Sequence, residues 1–388
     1  MALKTSYLAN HVRSLKPSGI RKFFDATAGM TDVISLGVGE PDFVTPWNVR
    51  EAAIQSLEDG FTSYTANAGL QSLREEIAKY IDDYFCTSYN PDTEIIVTVG
   101  ASEAIDIALR AILNPGEEVL VVEPCFVSYA PLVTMAGGVP ITVQAKPENQ
   151  FKIQTQQLEQ AVSERTKAIM ICSPNNPTGA MLSREEMQQI AAFAKAHDLL
   201  ILSDEIYAEL VYDEIYTSFA ALEDMRERTI LVSGFSKDMA MTGWRLGFVC
   251  APEEISQGML KIHQYAIMCA STMAQHAALE GLRSGRKDVN AMRKSYRQRR
   301  NYIVESLNEI GLSCTVPEGA FYTFPSIQST GLSSEAFAHQ LLETEKVVVV
   351  PGDAFGESGE GYVRCSYATS MAQLQEAMTR IQRFVSRL

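Results

Sequence analysis

Metal-site and disulfide signatures are missing from this sequence. Its seven cysteines are odd in number and never spaced C-x-x-C, and its five histidines form no H-E-x-x-H. That pattern speaks against a disulfide framework or a zinc site, fits a reducing compartment, and leads us to expect no bound metal. No apolar run approaches the roughly 20 residues needed to span a membrane. The longest runs, LLIL at 199–202 and VVVV at 347–350, have the length of buried strands. An excess of positive charge is absent as well: 33 Lys and Arg against 47 Asp and Glu leave a formal charge of −14. Nucleic acid and anionic membrane surfaces, which need clustered cations, are thereby excluded as partners. Basic residues gather once, in RKSYRQRRN at 293–301, within a segment where Met292, Tyr296 and Ile303 recur at roughly helical spacing. The cluster is expected to be the solvated face of a long helix. The first residues, MALKTSYLANHVRSLK, have scattered charge and no apolar core, so neither a signal peptide nor an anchor is expected and the location should be cytoplasmic.

What is present is an ordinary globular composition, 46% apolar and 21% charged, over 388 residues. That length exceeds one hydrophobic core, so a large and a smaller domain around a cleft are expected. From about residue 48, apolar strands at 95–99, 119–122, 140–143, 168–172, 199–203, 230–233 and 247–250 alternate with helical patterns. One such helix, 183–197, opens with a Ser183/Glu186 capping box and carries Met187, Ile190, Ala191 and Ala194 on one face. The fold class is α/β: a large domain, 48–285, with a mainly parallel seven-stranded sheet flanked by helices. After 285 the pattern changes to a long charged helix, short strands at 313–316, 320–324, 347–350 and 362–366, and a final helix at 371–387. This α+β segment, 286–388, is expected to form the small domain together with residues 1–47.

In such sheets ligands lie beyond the carboxyl ends of the strands, so polar residues that follow apolar runs are the candidates. The stretch SGFSKDMAMTGWRLG, 233–247, places Lys237 after a strand and Arg245 eight residues on. A desolvated lysine condenses with an aldehyde, and a guanidinium grips phosphate bidentately. The pair thus suits one phosphorylated aldehyde, pyridoxal 5'-phosphate; solvated surface charges are the plain alternative. In LLILSDEIYAEL, Asp204 ends an apolar run and would need a cation such as a protonated pyridine nitrogen, with Tyr207 three residues on able to bond the ring oxygen. A helix-capping Asp and an exposed Tyr are the plain alternative for either residue taken alone. Gly100, Ala101 and Ser102 in IIVTVGASEAI can offer helix-start amides to a phosphate, or Ser102 can be a plain cap. Phe126 in EPCFVSY reads as a ring-stacking or a core aromatic, and Asn176 in SPNNPTG as a ring-oxygen donor or turn residue. Gly37 and Gly39 in VISLGVGEPDF allow close backbone approach or form a tight turn. Arg364 in GYVRCSYA suits a substrate carboxylate, or a structural salt bridge to Glu318 or Asp353.

Nine segments in order, GVGEPDF, TSYTANAGL, VGASEAI, SPNNPTG, SDEIYAEL, SGFSKDMAMTGWRLG, GAFYTFPSI, VVPGDAFG and GYVRCSYA, span essentially the whole chain. Together they resemble the fold type I pyridoxal-phosphate enzymes, specifically the class I aminotransferases of the bacterial and archaeal aspartate/aromatic subgroup. The resemblance implies that Lys237 is the Schiff-base lysine and that Asp204 pairs with the pyridinium nitrogen. Tyr207 and Asn176 would bond the ring oxygen, and Phe126 would stack on the ring. Ala101, Ser102, Ser236 and Arg245 would hold the phosphate, joined by Tyr64 from a neighbouring subunit, which implies a homodimer with shared sites. Arg364 would take the substrate α-carboxylate, assisted by Gly39 and Asn176. The implied activity is ping-pong transamination between an L-amino acid and a 2-oxo acid such as 2-oxoglutarate.

Some acid-specific members of the subgroup carry a lysine where this chain has Glu103. A pocket-facing glutamate would repel a distal carboxylate, whereas an exposed one would merely favour the helix dipole. A pocket lined by Ile20, Tyr64, Phe126 and Tyr322 favours neutral or aromatic donors. A C–S β-lyase on the same fold would use the same cofactor residues. A cofactor-binding sensor would need an output module, for which no basic helix-turn-helix stretch is seen.

Overall fold

The computed structural model describes residues 7–15 and 32–388. Its strands are β1 (Ile34–Ser35), β2 (Ile95–Thr98), β3 (Glu118–Glu123), β4 (Val139–Gln144), β5 (Thr166–Cys172), β6 (Leu200–Asp204), β7 (Thr229–Gly234), β8 (Gly247–Cys250), β9 (Tyr322–Thr323), β10 (Val347–Val348), β11 (Val350–Pro351) and β12 (Val363–Ser366). Seven of them form one sheet in the order β2-β8-β7-β6-β5-β3-β4. The β7, β6, β5, β3 and β4 neighbours run parallel, and β8 is antiparallel to both β7 and β2. Since β8 alone is reversed, the carboxyl ends of the other six strands lie along one edge of the sheet.

Continuous apolar runs make these strands because both faces of the sheet are covered. Along β5, Ala168 and Met170 pack in one cluster with Ala104, Ile105 and Ala108 of the helix Gly100–Ile112. Ile169 and Ile171 point the other way, into a cluster with Met187 and Ile190 of the helix Arg184–Ala196, as the two-residue period of a strand requires. That second helix begins with the expected capping box: Ser183 accepts from the Glu186 amide and Glu186 from the Ser183 amide. The edge strand β4 is half exposed and carries Pro140, which an edge tolerates because it lacks one ladder partner.

The remaining strands form two small sheets. β1 pairs in parallel with β10, and β12 lies between β11 and β9, antiparallel to both. The Ser366 amide donates to Leu36 O at 2.6 Å, joining the early chain to β12. The helix Arg286–Ile310 buries Met292, Tyr296 and Ile303, and the chain ends in the helix Met371–Val385.

Two expectations change. Residues 313–316 are not a strand: Asn308 takes both the amide and the carbonyl of Cys314 with its side chain, so that backbone bonds to a side chain rather than to a ladder. The basic cluster at 293–301 is not wholly solvated either. Arg299 and Arg300 are buried, paired with Asp42 at 2.6 Å and Asp213 at 2.7 Å. Among the described residues no helix is long and apolar enough to cross a membrane.

Candidate active site

A cavity of about 790 Å³ opens at the carboxyl edge of the sheet. Every strand end singled out in the sequence contributes to its wall. Gly39, Ala101, Ser102, Phe126, Asn176, Asp204, Tyr207, Ser236, Lys237, Arg245 and Arg364 all line it. Tyr64 does not; it is 79% exposed.

Lys237 sits three residues beyond β7, and its Nζ donates to the Gly39 carbonyl at 2.7 Å. Burial, followed by the positive charge of Arg364, lowers its pKa to about 8. An amine is nucleophilic only without its proton, so reactivity at Lys237 should rise with pH through about 8, while exposed lysines lag near 10.4. Reductive methylation of the protein with formaldehyde, followed by peptide mass mapping across pH 6–11, should show Lys237 labelling about two pH units before the surface lysines. Labelling of Lys237 in step with them would contradict the buried amine.

Asp204 closes β6 at the cavity floor. Its Oδ2 accepts from Tyr129 Oη at 2.6 Å and its Oδ1 from the Ile206 amide at 3.2 Å. Burial raises its pKa, against those two hydrogen bonds and the nearby Lys237 charge. Among the described residues no cation forms an ion pair with it. A buried carboxylate held mainly by a phenol is therefore ready for a cationic ligand.

At one end of the cavity the helix Gly100–Ile112 presents its first amides, which have no partner within the helix. Its start is pressed against its surroundings. A Cβ on Gly100 would stand 2.7 Å from Arg245 Nη2, and one on Gly247 2.6 Å from the Ala101 nitrogen. Glycine at both positions is what lets a guanidinium and a strand backbone meet the helix start. Arg245 holds a left-handed φ of 51° and donates to Thr242 O at 3.1 Å. With Ser236 beside it, this end is a cup for an anion.

On the other side Arg364, in β12, is buried and donates to Asn176 Oδ1 at 2.9 Å and Gly37 O at 2.6 Å. Among the described residues its Nε has no partner, and burial lowers its pKa. Neither suggested salt bridge exists: Glu318 pairs with Lys152 at 2.9 Å, and Asp353 makes no ion pair with Arg364. A buried guanidinium without an acid among the described residues, stacked 4.5 Å over the Tyr322 ring, is built to receive a carboxylate. Tyr207 Oη lies 3.0 Å from Tyr322 Oη, and burial pushes its pKa up, so it remains a phenol.

Sequence reasoning passed over Tyr129, although it lies three residues after Phe126 and the two rings meet edge to face at 5.8 Å. It also passed over Thr242, Gly243 and Cys172, which join the wall. Glu103 takes neither expected position. It is outside the cavity wall and only 11% of its side chain is exposed, with Oε1 2.6 Å from Nδ1 of the fully buried His263. Ile20 lies outside the described residues.

Residues 31–381 match the family described as "Aminotransferase class I and II", and the chain belongs to it. Its relatives include YugH of Bacillus subtilis (strain 168), 65% identical over 381 residues that cover 98% of this chain and 99% of YugH. The aspartate aminotransferase of Pyrococcus abyssi (strain GE5 / Orsay) is 48% identical over 97% of each chain. The crystal structure of the aromatic aminotransferase from Pyrococcus horikoshii OT3 superposes with a TM-score of 0.90 at 46% identity, covering 95% of this chain and 99% of that one.

Proposed function

We propose that the protein is a pyridoxal 5'-phosphate-dependent aminotransferase. In this reading it moves the α-amino group from a neutral or aromatic L-amino acid to a 2-oxo acid such as 2-oxoglutarate, in two ping-pong half-reactions. The observation that carries the proposal is one cavity holding a buried amine of lowered pKa, a buried carboxylate without a cation, and an arginine without an acid.

The cavity fits the cofactor. The anion cup suits its phosphate, Asp204 its ring nitrogen, the Phe126 ring its face, and Tyr207 with the free amide of Asn176 its ring oxygen. Bound there, pyridoxal phosphate supplies an aldehyde for the amino group and a ring that accepts the electron pair left at the substrate Cα. Asp204 keeps the ring nitrogen protonated. Lys237 Nζ, once free, carries the proton away from Cα as a general base, which its pKa of about 8 suits. Arg364 grips the α-carboxylate and Asn176 braces it. The Lys237-bound carbonyl of Gly39 shows how closely that loop approaches the reacting amine.

The choice of neutral or aromatic donors rests on the wall beside Arg364. Val38, Ile105, Ile206 and Tyr322 face the cavity, and its cations, Lys237, Arg245 and Arg364, are already committed. Among the described residues no further cation lines the wall to pair with a donor's side-chain carboxylate, and the distal carboxylate of 2-oxoglutarate would have to be met from outside that wall. Exposed Tyr64, Phe61, Trp47 and Tyr265 support a homodimer in which Tyr64 completes the partner's phosphate site.

Steady-state assays of phenylalanine, alanine and aspartate with 2-oxoglutarate test the reading. Phenylalanine or alanine should outpace aspartate. Pyruvate and ammonia released from cysteine-like donors without any 2-oxo acid would point to a C–S lyase instead. In the same assay Arg364→Lys should raise KM for every amino acid by about tenfold to a hundredfold. It exchanges a two-bond fork for a point charge at a cost of about 1.5–3 kcal/mol. Cofactor content should stay unchanged; loss of stability and cofactor together would make Arg364 structural.

A further inference from the structure

The anion cup is built on the first turn of the helix Gly100–Ile112, and that turn is held from behind. Glu103 Oε2 accepts the amide of Val99, the residue just before the helix, while Oε1 lies 2.6 Å from His263 Nδ1. A carboxylate only accepts, so Nδ1 donates. His263 belongs to the helix Glu253–Ala266 and is fully buried, and among the described residues its Nε2 finds no partner. Burying an imidazole with one nitrogen unsatisfied costs free energy, and among the described residues the one side-chain hydrogen bond that His263 makes is to Glu103. The same helix end is tied to the loop that carries Tyr64. The His263 carbonyl accepts from the Ile267 and Met268 amides, and Asn67 Nδ2 donates to Met268 O at 2.8 Å.

We propose that the Glu103–His263 pair is a positioning device for the phosphate end of the cavity. It ties down the Val99 amide so that the next amides, Gly100 to Ser102, turn toward the ligand. It also gives the Glu103 carboxylate, one turn from the anion site, a hydrogen-bond donor that draws its charge away from the phosphate. Neither residue touches the ligand; both act through the helix start. This inference rests on the pyridoxal phosphate reading above.

Titration of the cofactor-free protein with pyridoxal 5'-phosphate and, separately, with pyridoxal tests it, followed by the absorbance of the bound aldehyde. The two ligands differ only in the phosphate. Wild-type protein should bind the phosphorylated form much more tightly; equal affinities would refute the phosphate cup itself, and with it the cofactor reading. His263→Leu should weaken pyridoxal phosphate by about tenfold, the worth of one charged hydrogen bond, and leave pyridoxal within about twofold. His263→Asn, whose amide can donate to Glu103 from nearly the same place as Nδ1, should restore most of the loss. An unchanged ratio in His263→Leu, or equal weakening of both ligands, would overturn the proposal, the second result marking a merely structural role. Should the leucine variant not fold, Glu103→Ala serves in its place. It removes the acceptor of the Val99 amide and should lower the ratio, whereas an unchanged or raised ratio overturns the proposal.

Discussion

Lys237→Ala should lose transamination by more than about 10⁴-fold, the upper range for a general base in a proton transfer, while the protein stays folded. Among the described residues no other amine lines the cavity. The arginines there are guanidinium cations with no lone pair to offer, and the remaining titratable wall residues are carboxyls, phenols and the Cys172 thiol, whose pKa burial pushes up. The variant should also lose the absorbance of a protonated Schiff base after addition of pyridoxal phosphate. Removing a buried amine whose charge is disfavoured by burial relieves a desolvation cost, so thermal unfolding should not fall steeply. Residual turnover within a hundredfold of wild type would show that another group moves the proton.

Asp204→Asn should come next in severity, with kcat reduced on the order of 10³-fold, comparable to deleting one preorganised electrostatic contact at a reacting centre. The amide keeps the size of the carboxylate; its oxygen can accept from the Ile206 amide while its NH2 donates to Tyr129 Oη, so the fold and the bound cofactor should survive. What disappears is the negative charge that keeps a ring nitrogen protonated. The loss should therefore appear in kcat with little change in cofactor content. A variant with near-normal kcat would mean that another group holds the nitrogen, and one that lost cofactor and stability together would make Asp204 a structural residue.

Much of the cavity was legible from sequence because of one geometric rule. In a parallel sheet the residue after an apolar run stands at the carboxyl edge, and Asp204, Asn176, Ser102 and Lys237 are all such residues. Arg364 was legible for another reason, as a charge inside a strand of neutral residues. The contacts that fix these groups were not legible. Tyr129 meets Asp204 across 75 residues and His263 meets Glu103 across 160, and no local period encodes a partner at such separation. Arg299 and Arg300 were misplaced for the same reason: their acids, Asp42 and Asp213, lie far away in sequence. Residues 313–316 looked like a strand on composition, but a strand needs a neighbour, and here the Asn308 side chain takes the backbone bonds.

Borohydride reduction of the protein loaded with pyridoxal phosphate, followed by digestion and mass mapping, tests the central claim most directly, since it asks which amine holds the aldehyde. The account predicts a single pyridoxyl label on Lys237 at one equivalent per chain, blocked by prior reaction with an amino-acid donor that converts the cofactor to its aminated form. A label on any other lysine, or none at all, would contradict it.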